Sequence, residues 1–216
     1  MRRLLLAGLF AGCASAGTEQ PVTEIDAFIP GMTPDARPPE IDAPLPCTEI
    51  MTELLGNPAF DTTPVGAGWI QTPINATYPL VTDQDGISEQ SPPYKAWLGG
   101  LQGTDLLWQE VMVPARTRLL IVAGFYEVRS QENGAAIVDT SAVALVDTAD
   151  APIATVIALD NTKKTTTWTP LTFSVMNAAP LSGTRVRLRM TSTNNNTTYT
   201  SFYYDTLSVK AAHCMP

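Results

Sequence analysis

In Thr184-Arg-Val-Arg-Leu-Arg-Met-Thr191 every second residue is apolar: Val186, Leu188 and Met190 fall on one side of an extended chain, Arg185, Arg187 and Arg189 on the other. Successive side chains of a strand point to opposite faces, so this stretch reads as a half-buried β-strand with a charged outer face. The same period of two recurs on either side of it. Residues 106–113 (LLWQEVMV) follow Gly-Thr-Asp and stop at Pro114, and residues 118–129 (RLLIVAGFYEVR) are apolar on both faces, as in a central strand. Residues 141–146 and 153–159 are short β-rich runs parted by the turn cluster Asp-Thr-Ala-Asp-Ala-Pro. Residues 165–176 and 200–210 (TSFYYDTLSVK) complete the set. There is no helical stripe and no internal repeat. Short strands about 8–12 residues apart with turns between them predict an all-β fold, an antiparallel β-sandwich of the jelly-roll kind.

The chain begins differently. Met1-Arg-Arg-Leu-Leu-Leu-Ala-Gly-Leu-Phe-Ala-Gly-Cys13 carries two arginines, then a short apolar run from Leu4 to Phe10, then small residues before a cysteine. A bilayer-spanning helix needs about 20 apolar residues, so this run reads as a cleaved export signal. It resembles a bacterial lipoprotein signal, departing from it at Phe10, where that family usually has Leu. The resemblance implies that residues 1–12 are removed and that Cys13 carries the lipids. Ala14 in place of the retention residue Asp is then compatible with transport to the outer membrane. The alternative is an ordinary secretory signal cut near Ala14-Ser-Ala-Gly17.

Residues 13–46 hold seven prolines and six acids against the single Arg37, with no period of 2 or 3.6. Such a segment buries too little apolar area to offset its ordering entropy, and it is expected to be a flexible tether. The folded domain is therefore placed at residues 47–216. Among the three cysteines, acylation of Cys13 leaves Cys47 and Cys214 as an even pair at the two ends of that domain. An exported chain can form and keep such a bridge, and closing so long a loop is worth about 5 kcal/mol in the chain-entropy model. Two free thiols or an intermolecular link are the alternatives.

The order of motifs resembles the galactose-binding-like jelly rolls, a family that includes many carbohydrate-binding modules. The motifs are Asn57-Pro-Ala-Phe60-Asp61 with Gly68-Trp69, Tyr94-Lys-Ala-Trp97-Leu-Gly-Gly100, and Leu107-Trp-Gln109-Glu-Val111. Trp168, Val186-Arg-Leu-Arg189 and the closing Phe202-Tyr-Tyr-Asp205-Thr-Leu-Ser-Val209 follow. Asp61 and Thr206 depart from the family's usual Glu and Asp. Many such domains hold a structural calcium where the first and last strands meet, and the resemblance assigns Asp61 and Asp205 as its carboxylates. Simple alternation puts Asp205 on the side of Leu207 and Val209, where a carboxylate is costly unless bonded, paired or metal-bound. Backbone N–H donors or an arginine would satisfy it equally well.

A sugar site needs flat aromatic faces with a few polar groups. The family's pattern assigns Trp69, Trp97 and Trp168 to packing. Trp108 shares its strand face with Glu110 and Met112, away from Gln109 and Val111, and is the better candidate. Tyr126, expected on a neighbouring strand, and Tyr199, in the polar loop of residues 194–199, complete the carbohydrate-binding set.

Catalytic readings are weak. His213 is the only histidine and stands beside Cys214, so neither a Ser-His-Asp set nor a Cys/His zinc site can be built, and no G-x-S-x-G, P-loop or H-E-x-x-H occurs. Glu110, Glu127 and Glu132 are close in sequence, as glycosidase carboxylates would be, but solvated surface charges account for them more simply. The formal charge of -8 moves to -10 without Arg2 and Arg3, which excludes a nucleic-acid partner and leaves the lipid as the means of membrane attachment. The expectation is a non-catalytic module at the cell envelope that binds carbohydrate. The alternative is a structural or protein-interaction domain on the same scaffold.

Overall fold

The computed structural model describes residues 47–195 and 198–215. The signal of residues 1–12, the lipidation of Cys13 and the tether of residues 13–46 lie outside the described residues, apart from the start of the folded domain at Cys47.

Among the described residues eleven strands form two antiparallel sheets. In the first, β3 (Val81–Thr82), β4 (Lys95–Gly99), β11 (Thr200–Cys214), β6 (Thr117–Ser130) and β9 (Thr169–Val175) run side by side. β1 (Glu49–Glu53) pairs with the second half of β11, on the edge whose first half pairs with β4. The second sheet runs β2 (Ile70–Thr72), β5 (Gly103–Met112), β10 (Arg185–Asn194), β7 (Thr140–Val146) and β8 (Pro152–Asp160). The expected sandwich is the observed one, with no element among the described residues more helical than a single turn at Ala179–Leu181.

Alternation along each strand builds the core. β10 buries Val186, Leu188 and Met190 and turns its arginines outward; β5 buries Leu107 and Val111 beside them. Facing them from the other sheet are Leu98, Leu120, Val122, Phe202 and Tyr204. Each such side chain contributes about 1.5–3 kcal/mol on burial. Tyr204 spans the sandwich, and its hydroxyl lies 2.7 Å from Ser141 Oγ on β7. That bond satisfies a phenol that the core would otherwise strand. Polar residues on the inner face serve loops. Gln109 accepts from Gly56 N at 2.7 Å and donates to Gly68 O at 3.0 Å, pinning the segment between β1 and β2.

That segment explains the opening motif. Phe60 is fully buried against Trp69, ring centroids 5.0 Å apart, and Trp69 Nε1 donates to Asn57 O at 2.8 Å. At the two ends of the folded domain a Cys47–Cys214 disulfide is present, with a Cα–Cα distance of 5.2 Å, and it closes the β1–β11 ladder at Glu49↔Cys214.

One alternation argument fails. The pairing of β11 with β6 shifts between Asp205 and Ser208, and Thr206 sits at φ 49°. This bulge adds a residue and reverses the phase, so the buried apolar face reads Phe202, Tyr204, Leu207, Val209. Asp205 therefore falls on the outer face with Tyr203, not on the core side. Gly124 lies opposite the bulge, where an added Cβ would come within 2.7 Å of Leu207 Cδ2.

Candidate functional site

Two connections cross between the sheets at one edge of the sandwich. Residues 73–80 carry the chain from β2 to β3, and residues 100–102 carry it from β4 to β5. Between them opens a pocket of about 250 Å³. Its walls are largely apolar, with Ile74 and Leu101 on the two crossings, and it is flanked by Tyr78, Trp97 and Gln84. Tyr78 is 51% exposed and is placed by a turn in which Asn75 O accepts its N–H at 2.9 Å and Asn75 Oδ1 accepts from Thr77 N at 3.0 Å.

Asp105 builds the floor. It is 2% exposed at the start of β5, with Oδ1 accepting from Ile74 N at 2.6 Å and Oδ2 from Gly99 N at 2.7 Å and Ser192 Oγ at 3.4 Å. One carboxylate thus ties both crossings to the sheet. Burial pushes its carboxyl up from the usual range, and the two backbone N–H donors oppose that rise.

Residues 83–93, between β3 and β4, lie as a strap over the outer face of the first sheet. Fully buried Lys95 donates to Gln84 O at 2.9 Å and to Glu89 at 2.7 Å. Trp97 packs on Tyr203 with centroids 5.3 Å apart, and Gly86 rests on this pair, where an added Cβ would be 2.8 Å from the Tyr203 hydroxyl. Trp97 Nε1 is buried without a hydrogen-bond partner. The far end of the strap is held by Asp205: Oδ2 accepts from Gln90 N and Ser91 N, both at 2.9 Å, and Oδ1 from Thr206 N at 2.6 Å. Thr206 Oγ1 also bonds Gln90 Oε1.

Asp61 and Asp205 are brought together through Ser91. Ser91 Oγ donates to Asp61 Oδ2 at 3.1 Å, while its own N–H goes to Asp205, and Asp61 Oδ1 is buried with no partner. Burial pushes the Asp205 carboxyl up to about 6 against three backbone donors, and the nearby Asp61 charge adds to the rise. Among the described residues no cluster of three or more His, Cys, Asp or Glu stands where it could hold a metal. The two carboxylates fit a hard cation only with carbonyl or water oxygens completing the shell.

The carbohydrate-binding residues expected from sequence are not brought together. Trp108 does face outward, but the Arg187 guanidinium lies 4.3 Å from its ring centroid, and Arg187 also pairs with Glu110 and Asp150, both at 3.3 Å. Tyr126 is on β6 in the opposite sheet and packs against the core, whereas the neighbours of Trp108 in its own sheet are Arg189 on β10 and Ile70 on β2. Tyr199 is 40% exposed at the end of the sandwich where Gly100 N donates to Thr200 O at 2.9 Å. Trp97, assigned to packing, packs on Tyr203 and also flanks the pocket. Trp168 precedes β9 rather than lying in a strand, and donates to Ser88 O at 2.9 Å. Glu110 and Glu127, paired with Arg187 and Arg129, belong to different sheets.

Tyr78 was missed. The signal that singled out Tyr199, an aromatic in a turn-rich loop, is equally present at Pro73-Ile-Asn-Ala-Thr-Tyr78-Pro79.

No family model matches the chain, and no curated protein matches it. Solved structures do. The fold is similar to that of TmCBM61 in complex with β-1,4-galactotriose, with a TM-score of 0.52 and 13% identity, over 73% of this chain and 97% of that one. It is also similar to part of the arabinose-bound MgGH51 α-L-arabinofuranosidase, with a TM-score of 0.50 and 17% identity, over 74% of this chain and 26% of that one. At these identities the likeness is one of fold.

Proposed function

We propose that this chain is a non-catalytic carbohydrate-binding module, displayed at the cell envelope through a lipid on Cys13, with its glycan seated in the edge pocket. The observation that carries the reading is a preformed cavity whose lining includes two aromatic side chains, exposed Tyr78 and half-buried Trp97, together with the Gln84 amide. Sugars present flat C–H faces that stack on aromatic rings and hydroxyls that pair with amides, so this is the chemistry such a site needs. Similarity of fold to a module solved with galactotriose supports it. In the same reading Asp61 and Asp205 hold a structural calcium that fixes the strap and so positions Gln84 and Trp97.

The test is a glycan array probed with the full chain carrying Cys13→Ser, beside its Tyr78→Ala counterpart. Saturable binding lost in Tyr78→Ala is the expected result. Absence of binding across the array transfers the assignment to a protein-interaction domain.

A further inference from the structure

Building on that carbohydrate reading, we infer that the edge pocket takes one uncharged sugar residue at the end of a glycan and turns away anionic sugars. Size gives the first part. The cavity of about 250 Å³ lies below the roughly 300–1,000 Å³ of drug-sized ligand pockets, which leaves room for a single ring. The walls that bound it are the two crossing connections, both tied down by Asp105.

Charge gives the second part. Neither Lys nor Arg is among the residues that line the pocket. The one carboxylate there, Asp105, is buried with both oxygens occupied by Ile74 N, Gly99 N and Ser192 Oγ, so it offers nothing to a cationic sugar. The groups left to meet a ligand are neutral: the Tyr78 ring, the Trp97 indole and the Gln84 amide. Gln84 is flanked in the strap by exposed Asp83 and Asp85, whose carboxylates are the charged groups next to it in the chain. A uronic acid would find no cation in the lining to receive its carboxylate, and Asp83 and Asp85 beside Gln84 would repel it, since like charges brought together cost binding. The strap is held in this register by Lys95, whose ammonium is buried beneath Gln84 O.

The experiment is an array of neutral and uronate-terminated glycans of one to three residues, read with the full chain carrying Cys13→Ser and with Asp83→Lys/Asp85→Lys added. Hits sharing a neutral terminal residue, with affinity changing less than about threefold from one ring to three, are expected, since further rings find no contact atoms. The charge reversal is expected to admit uronate-terminated glycans. Binding that tightens about tenfold or more with each added ring, or that prefers uronate ends in the unaltered chain, overturns the inference while leaving the carbohydrate reading intact. A charge reversal without effect on uronate binding overturns its electrostatic part. An array without hits removes the carbohydrate reading and this inference with it.

Discussion

Asp105 Oδ1 accepts the N–H of Ile74 at 2.6 Å, so a carboxylate at the start of β5 fixes the loop that carries Tyr78. Its other oxygen holds Gly99 at 2.7 Å on the opposite wall. Asp105→Asn keeps one acceptor and turns an NH₂ toward one of these two N–H groups. Leaving a buried donor unsatisfied costs about 1–3 kcal/mol. The expected outcome is a melting temperature lowered by several degrees and glycan affinity lowered at a temperature where the variant is still folded, with Asp105→Ala worse on both measures. Wild-type affinity in the folded Asn variant would show that the pocket does not depend on this tie.

Trp108 and Trp97 part company in the next experiment. The Trp108 ring is covered by Arg187, which also bonds Glu110 and Asp150, whereas Trp97 flanks the pocket. A cation–π pair at a half-exposed site is worth about 0.5–1 kcal/mol. Trp108→Ala is expected to cost a small amount of stability and leave glycan binding unchanged. Tyr78→Ala is expected to abolish binding with little loss of stability, because that ring is exposed. Calorimetry and titration of both variants separate the two roles, and loss of binding in Trp108→Ala alone would move the site to the second sheet.

Strand-level architecture was legible in the sequence, because half-buried strands such as β10 and β5 alternate without interruption, and the burial of Val186, Leu188, Leu107 and Val111 follows from period alone. The site was much less so. Alternation carried through Thr206 puts Asp205 in the core, and the bulge that reverses the phase depends on a positive φ at a threonine, which no local pattern signals. Which sheet a strand joins is also invisible to period. Tyr126 and Trp108 were expected side by side because their strands are consecutive, yet β5 and β6 are in opposite sheets. The pocket arises from two crossings that only the three-dimensional order of strands brings to one edge.

The disulfide makes a separate prediction. Cys47 enters the domain immediately before β1, and its bridge to Cys214 locks the open end of the β1–β11 ladder. Inside that clamp Glu53 Oε1 accepts from Val209 N at 2.9 Å and from Leu55 N at 3.0 Å, so β1 has its own polar ties as well. Loss of a native bridge from a small disulfide-bonded domain costs about 2–5 kcal/mol. Reduction, or Cys47→Ser with Cys214→Ser, is expected to lower the melting temperature markedly. Exchange of the β1 amides should rise first, because the rest of the sandwich does not depend on them. Hydrogen exchange by mass spectrometry reads this directly, and uniform loosening of both sheets would contradict it.

Calcium and protons should act on the strap in opposite senses. With its carboxyl raised to about 6, Asp205 binds a proton more tightly in the folded protein than in the unfolded chain, where it titrates near 3.8. Between those values the native state holds more protons, so the stability this group contributes is fully present at low pH and is lost as pH rises through about 6. In the presence of a chelator the melting temperature is therefore expected to rise on acidification from about pH 7.5 to about 5.5, and that rise should shrink in Asp205→Asn, leaving the smaller part that buried Asp105 contributes. A cation held by Asp205 and the unpartnered Asp61 Oδ1 reverses the sign, because the metal needs both groups deprotonated. Added calcium is then expected to raise the melting temperature at the higher pH and to lose its effect at the lower one. Asp61→Asn should remove the calcium response yet retain most of the proton response, since Asp205 would keep its burial and its three backbone donors. A melting temperature indifferent to calcium at the higher pH would leave Asp205 as the latch of the strap through hydrogen bonds alone.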